Sequence, residues 1–162
     1  MTDFRALVQA LSEGRVDFII IGGLAAAVHG SARLTQDVDC LYSRAPANLE
    51  RLVAALGAHA PYLRGAPPGL PFEWSVATIE RGLNFTLTTD LGDLDLLGEI
   101  PGGGDYDALR RQAVEVDLFG RRCLCLGLAP LIRVKRAAGR PKDLEALAEL
   151  EALLDERGPA PH

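Results

Sequence analysis

Cysteine is scarce in this 162-residue chain, with three in all. An odd count, far below the density of a disulfide-built scaffold, excludes that class and suits a reducing, cytoplasmic setting. Long apolar runs are missing too. No stretch reaches the ~18 residues of a transmembrane helix, so no role in a membrane is expected. The longest, residues 18–28, is interrupted by Gly22 and Gly23. Met1-Thr2-Asp3-Phe4-Arg5 lacks a basic start leading into an apolar segment, so no secretory signal is expected. Internal repeats and low-complexity tracts are also missing.

Excess positive charge is absent as well. The net charge of −5 argues against a nucleic-acid footprint spread over the whole surface. The charges are segregated, however. Residues 90–107 hold six carboxylates and no Lys or Arg, whereas residues 121–142 hold seven Lys or Arg and no carboxylate. Two solvated faces would explain either block alone. Brought together, they would supply acids for a metal and cations for phosphate. The composition, 48% hydrophobic and 24% charged, is that of an ordinary soluble domain. The length fits one domain over residues 1–156, with residues 157–162 as a flexible tail.

Periodicity gives a mixed α/β (α+β) order. Phe4, Leu7, Val8 and Leu11 follow helical spacing up to Gly14. Residues 16–21 are β-branched and apolar, a buried strand, and Leu24–Val28 favours helix. Residues 35–42 alternate as a strand, and Pro46 introduces a helix over 47–56. Residues 57–71, with four prolines and three glycines, read as loop. Residues 76–80, 84–89 and 93–97 read as strands, and Pro101-Gly102-Gly103-Gly104 as a flexible break. Asp105 can cap a short helix through Arg111. Residues 114–118 and 121–126 flank Phe119-Gly120 as a hairpin. A C-terminal helical pair, 129–138 and 141–156, is separated by Gly139. The expectation is a mixed sheet flanked by helices.

The chemistry concentrates between Ile20 and Cys40. A strand runs into Gly22-Gly23, where backbone N–H groups can approach a phosphate closely and a helix N-terminus favours negative charge. Asp37-Val38-Asp39 follows. Residues i and i+2 of a strand share a face, so both carboxylates can converge. Two close carboxylates repel unless a cation sits between them, and oxygen-only ligands suit Mg²⁺ or Mn²⁺. Asp93-Leu94-Asp95 adds a second same-face pair in an apolar context. Three carboxylates from adjacent strands can hold two Mg²⁺ ions about 3.5–4 Å apart, the arrangement used in phosphoryl and nucleotidyl transfer.

Hydrophobic–Gly–Gly, a helix, Asp-hydrophobic-Asp and a later hydrophobic–Asp–hydrophobic resemble the nucleotidyltransferase superfamily, the DNA polymerase β-like fold. Gly30-Ser31-x-Arg33-x-Thr35-x-Asp37 is most similar to small bacterial AbiEii-like toxins of type IV toxin–antitoxin systems. Lys135 and Arg140-Pro141-Lys142-Asp143 fit that pattern, so the resemblance spans residues 16–150. It implies a cytoplasmic enzyme that transfers NMP from an NTP to a hydroxyl and releases pyrophosphate. The acceptor it implies is RNA or tRNA, with a protein or small molecule as alternatives, and a cognate antitoxin as partner. By resemblance Gly22 and Gly23 cradle the triphosphate, and Asp37 and Asp39 bind metal. Asp95 is the third acid and helps deprotonate the acceptor. Asp95 is preferred to Asp93 because Leu94 and Leu96 flank it, whereas Asp93 follows Gly92. Ser31 and Arg33 touch phosphate oxygens, Lys135 with Lys142 neutralises charge on the leaving pyrophosphate, and Arg140 is a further nucleotide-binding residue. Asp143 orients Lys142 or accepts a proton.

Plainer roles stand beside these. Ser31 is equally suited to capping a turn, Arg33 to pairing with Asp37, and Lys135 to a solvated helix face. Pro141 and Asp143 suit a first helical turn. His29 reads as a helix C-cap, and Cys40, Cys123 and Cys125 as packing residues. Tyr62, Phe72 and Trp74 read as lids on the core or as platforms for a base. A catalytically silent nucleotide- or partner-binding module of the same fold is the rival function, and a metal-dependent hydrolase is a third.

Overall fold

The computed structural model describes residues 1–158. Helix α1 (Phe4–Glu13) opens with Asp3 as N-cap, its carboxylate accepting from the Ala6 N–H, and buries Leu7, Val8 and Leu11. Strand β1 (Phe18–Ile21) is buried at every position, as a central strand with both faces covered must be. It runs directly into α2 (Gly22–Val28). Strand β2 (Val38–Tyr42) and α3 (Pro46–Leu56) follow, then a single 3₁₀ turn and the two-residue strand β3 (Tyr62–Leu63).

Helix α4 (Val76–Arg81) corrects the strand expected over 76–80. The β-branched Val76, Thr78 and Ile79 suggest a strand, but the Ser75 hydroxyl accepts from the Thr78 N–H and caps a helix. Val76 and Ile79, three apart, then face the core. Next come β4 (Phe85–Thr89) and β5 (Gly92–Leu97). The expected break is the turn of a small hairpin, β6 (Glu99–Ile100) with β7 (Gly104–Asp105). Asp105 caps α5 (Tyr106–Leu109), and a 3₁₀ turn leads into the hairpin β8 (Ala113–Leu118) and β9 (Arg121–Leu126). The helical pair is α6 (Leu128–Ala138), ended by Gly139 in the left-handed region, and α7 (Pro141–Glu156).

Seven strands make one mixed sheet in the order β3-β4-β5-β2-β1-β9-β8. β2 lies antiparallel to β1 and parallel to β5, and β1 lies parallel to β9. The core spans both faces: Leu7, Leu11 and Leu52 from α1 and α3, and Leu128, Leu131 and Leu150 from α6 and α7. Arg157 Nη2 donates to the His29 carbonyl at 3.2 Å. Residues 159–162 lie outside the described residues. Among the described residues no helix is long and apolar enough to cross a membrane.

Candidate active site

The site forms where β1 turns into α2 against the ends of β2 and β5. Gly22 has φ +67°, and a Cβ there would lie 2.2 Å from Asp39 Oδ2. Both the backbone conformation and the close approach therefore require glycine. At Gly23 a Cβ would lie 2.6 Å from Thr35 Oγ1. The glycine pair lets α2 start in contact with the carboxylate strand, a packing reason that precedes any ligand.

Parallel register sets Asp39 directly beside Asp95. Asp37, just before β2, shares their face because it lies two residues from Asp39. Asp37, Asp39 and Asp95 each offer an oxygen within 4.8 Å of the others. Asp93 follows Gly92 at the strand entrance, outside this group of three. Burial, then the charges of Asp37 and Asp95, push the Asp39 carboxyl up to about 8. Burial, then Asp95, also raises Asp37. Asp39 Oδ1 is buried without a hydrogen-bond partner. A cluster whose own charge opposes ionisation, with a buried oxygen left over, fits a divalent cation. Asp37, Asp39 and Asp95 would hold it.

The sequence reading missed Arg64. It lies one residue beyond β3 in the segment read as loop, and its backbone N–H donates to the Thr86 carbonyl. Its guanidinium reaches over the acids: Nη2 is 2.9 Å from Asp95 Oδ1, Nε 3.5 Å from Asp93 Oδ1 and Nη1 3.7 Å from Asp37 Oδ2. Nη2 also donates to the Leu87 carbonyl at 2.7 Å. Nothing in the local pattern reveals this residue, because only the β3–β4 pairing carries it to the triad.

Helices α6 and α7 bring the cations to the opposite rim. Asp143, 2% exposed, accepts from Arg140 Nε at 2.6 Å and from Nη2 at 3.2 Å, with Lys135 Nζ at 3.8 Å. Burial works upward on this carboxyl, but Arg140 and Lys135 together hold it below the usual range. Asp143 thus sits with Lys135 and Arg140, not with Lys142, which stands exposed at the rim. Burial lowers Lys135 despite the attraction of Asp143 and Asp39. A cleft of about 200 Å³ is lined by Gly22, Gly23, Asp39, Lys135, Arg140 and Lys142.

Ser31 and Arg33 reach the same cleft, each held by α7. Ser31 donates to Glu149 Oε1, the Ala32 N–H donates to Glu149 Oε2 at 3.1 Å, and Arg33 lies 3.6 Å from Glu145. Arg33 does not pair with Asp37, whose cation is Arg64. His29 is the C-cap of α2 and meets the Leu126 carbonyl at 2.7 Å. The three cysteines are free and buried. Phe72 and Trp74 pack on the core, and the Trp74 indole donates to the Val53 carbonyl; Tyr62 meets Phe72 edge to face.

Two further cavities flank the acids. One of about 310 Å³, mainly apolar, is bounded by Ile21, Leu97, Ile100, Leu131 and Val134 and meets the cleft at Asp39 and Lys135. The other, of about 590 Å³, is lined by Thr35, Gln36, Thr88, Thr89, Asp90 and Asp93.

Sequence comparison finds no matching family model and no matching curated protein. Solved structures do match. A nucleotidyltransferase candidate (TM1012) from Thermotoga maritima aligns with TM-score 0.54 and 15% identity over 97% of both chains. The lincosamide antibiotic adenylyltransferase LnuA, solved with lincomycin, aligns with TM-score 0.60 and 12% identity over 94% of this chain and 98% of its own. ANT(2″)-Ia, solved with adenylyl-2″-tobramycin, aligns with TM-score 0.51 and 16% identity over 92% and 90%. The chain shares the mixed α/β fold of these proteins.

Proposed function

We propose that this protein is a metal-dependent nucleotidyltransferase that moves NMP from an NTP to an acceptor hydroxyl. The observation that carries the reading is the Asp37–Asp39–Asp95 triad facing Lys135 across the Gly22-Gly23 turn, in a nucleotidyltransferase fold. A divalent cation bound by the triad, Mg²⁺ or Mn²⁺, supplies charge neutralisation at the phosphoryl oxygens. The chain does the rest. Gly22 and Gly23 admit the triphosphate, with Ser31 and Arg33 at its edge. The acceptor oxygen bonds to the α-phosphorus as the bond to the pyrophosphate oxygen breaks. Asp95 takes the hydroxyl proton, and pyrophosphate departs among Lys135, Arg140 and Lys142. The base and ribose take the apolar 310 Å³ cavity, whose aliphatic wall grips a planar ring without reading its edges.

The toxin resemblance points to an RNA end such as tRNA as acceptor, with a cognate antitoxin and a cytoplasmic setting. Charge favours a small molecule instead. Beside the triad, Asp90 and Asp93 line the 590 Å³ cavity, paired with His59 and Arg64, and with the triad they make an acidic surface that repels a phosphate backbone and attracts a hydroxylated cation. LnuA and ANT(2″)-Ia, both solved with antibiotic ligands, are consistent with that choice.

Incubation with each labelled NTP, Mg²⁺ and a panel of acceptors (aminoglycosides, lincosamides, tRNA, total RNA) tests the proposal. Label should enter an acceptor, and Asp39→Ala should abolish it. Equal silence from wild type and variant across all four NTPs would refute transfer. Calorimetric NTP binding without pyrophosphate release would then identify a binding module, and free nucleotide product a hydrolase.

A further inference from the structure

The cationic charge around the triad is unevenly placed. Asp39 sets Oδ2 in the room that Gly22 leaves, its Oδ1 is buried without a partner, and Lys135 lines the same cleft. Asp37, Asp93 and Asp95 are instead spanned by one guanidinium at 3.7, 3.5 and 2.9 Å. Arg64 is not a loose surface side chain. It is 27% exposed, its N–H extends the ladder to Thr86, and Nη2 is fixed on the Leu87 carbonyl. The sheet therefore sets where its charge sits.

We infer that Arg64 is a resident cation on the acceptor side of the triad, taking the place of one of two metal ions, so that the triad binds a single divalent ion on its Asp39 side. The inference rests on the function proposed above. A fixed positive charge beside Asp95 repels an incoming divalent ion there and leaves the inner position, next to Asp39, as the favourable one. The guanidinium is also suited to a catalytic cycle. Asp95 turns its buried Oδ1 to Arg64 Nη2 at 2.9 Å while its side chain stays 22% exposed, so the carboxylate can still take the acceptor's proton. A covalently attached guanidinium, unlike a bound metal ion, is not lost to chelation.

Counting bound ions tests it. Titration of the full chain with Mn²⁺ alone, followed by the loss of the free-ion signal in electron paramagnetic resonance, should give one ion per wild-type chain. R64Q should give two, and R64K, which keeps the charge, should return to one. Circular dichroism of each variant verifies that it is folded. Two ions in the wild type, or one in R64Q, would overturn the role of Arg64 while leaving the metal-dependent function standing. No Mn²⁺ bound by wild type or R64Q would overturn the metal-dependent reading and this inference with it.

Discussion

Replacing Asp39 by Asn should make the metal-free protein more stable, although it destroys the proposed site. Burial and the neighbouring charges lift the Asp39 carboxyl from 3.8 to about 8 in the folded chain. A carboxyl raised in this way contributes most to stability below its unfolded value and loses that contribution as pH climbs through the folded one. At about 1.36 kcal/mol per pH unit, the penalty is ~1–2 kcal/mol at pH 5 and ~4 kcal/mol at pH 7. Asn keeps the shape and removes the charge, so this term disappears. Part of the gain is offset because the amide must find partners in a slot built for an oxygen. In EDTA at pH 7, D39N should therefore melt about 5–12 °C above wild type, at 2–4 °C per kcal/mol for a chain of this size. The gap should widen from pH 5 to pH 8. Mn²⁺ at about a thousand times its Kd should reverse the order, since it stabilises the wild type by ~4.1 kcal/mol and leaves D39N unmoved. Differential scanning calorimetry across that pH range checks the ranking. If D39N is less stable than wild type in EDTA, or the gap does not depend on pH, the reasoning from uncompensated buried carboxylates is wrong.

Two substitutions probe the walls of the site. Gly22→Ala places a Cβ 2.2 Å from Asp39 Oδ2 at φ +67°, so it should lower Mn²⁺ affinity at least tenfold and reduce stability by roughly 1–3 kcal/mol; ion titration and thermal melts read both. Val134→Trp fills the apolar cavity and should raise KM for the NTP at least tenfold, about 1.4 kcal/mol, with Mn²⁺ binding unchanged; steady-state kinetics beside ion titration separates the two effects.

The strands that carry the acids were legible because their information is local. Asp37 and Asp39 two residues apart, and Asp95 between Leu94 and Leu96, announce which side chains face which way, and β2 beside β5 then sets them together. Helix α4 was misread because β-branching outweighed the Ser75 cap, whose effect depends on one hydroxyl reaching one N–H. Arg64 was invisible for a different reason. A two-residue strand among prolines has no periodicity, and its partner Thr88 lies 26 residues on from Tyr62 in sequence, so only long-range pairing brings the guanidinium to the triad. Likewise Glu149, which accepts from Ser31 and Ala32, is 118 positions from the serine it holds, and Asp143 chooses Lys135 and Arg140 by helix packing.

Helix α7 also ties separate parts of the site to one element. Glu149 holds Ser31 and the Ala32 N–H, while Asp143 on the same helix gathers Lys135 and Arg140. Asp39 and Asp95 depend on none of these contacts, because the β2–β5 register sets them side by side. A shift of α7 would therefore loosen residues 31–33 and the cation cluster together and leave the carboxylates of the sheet where they are.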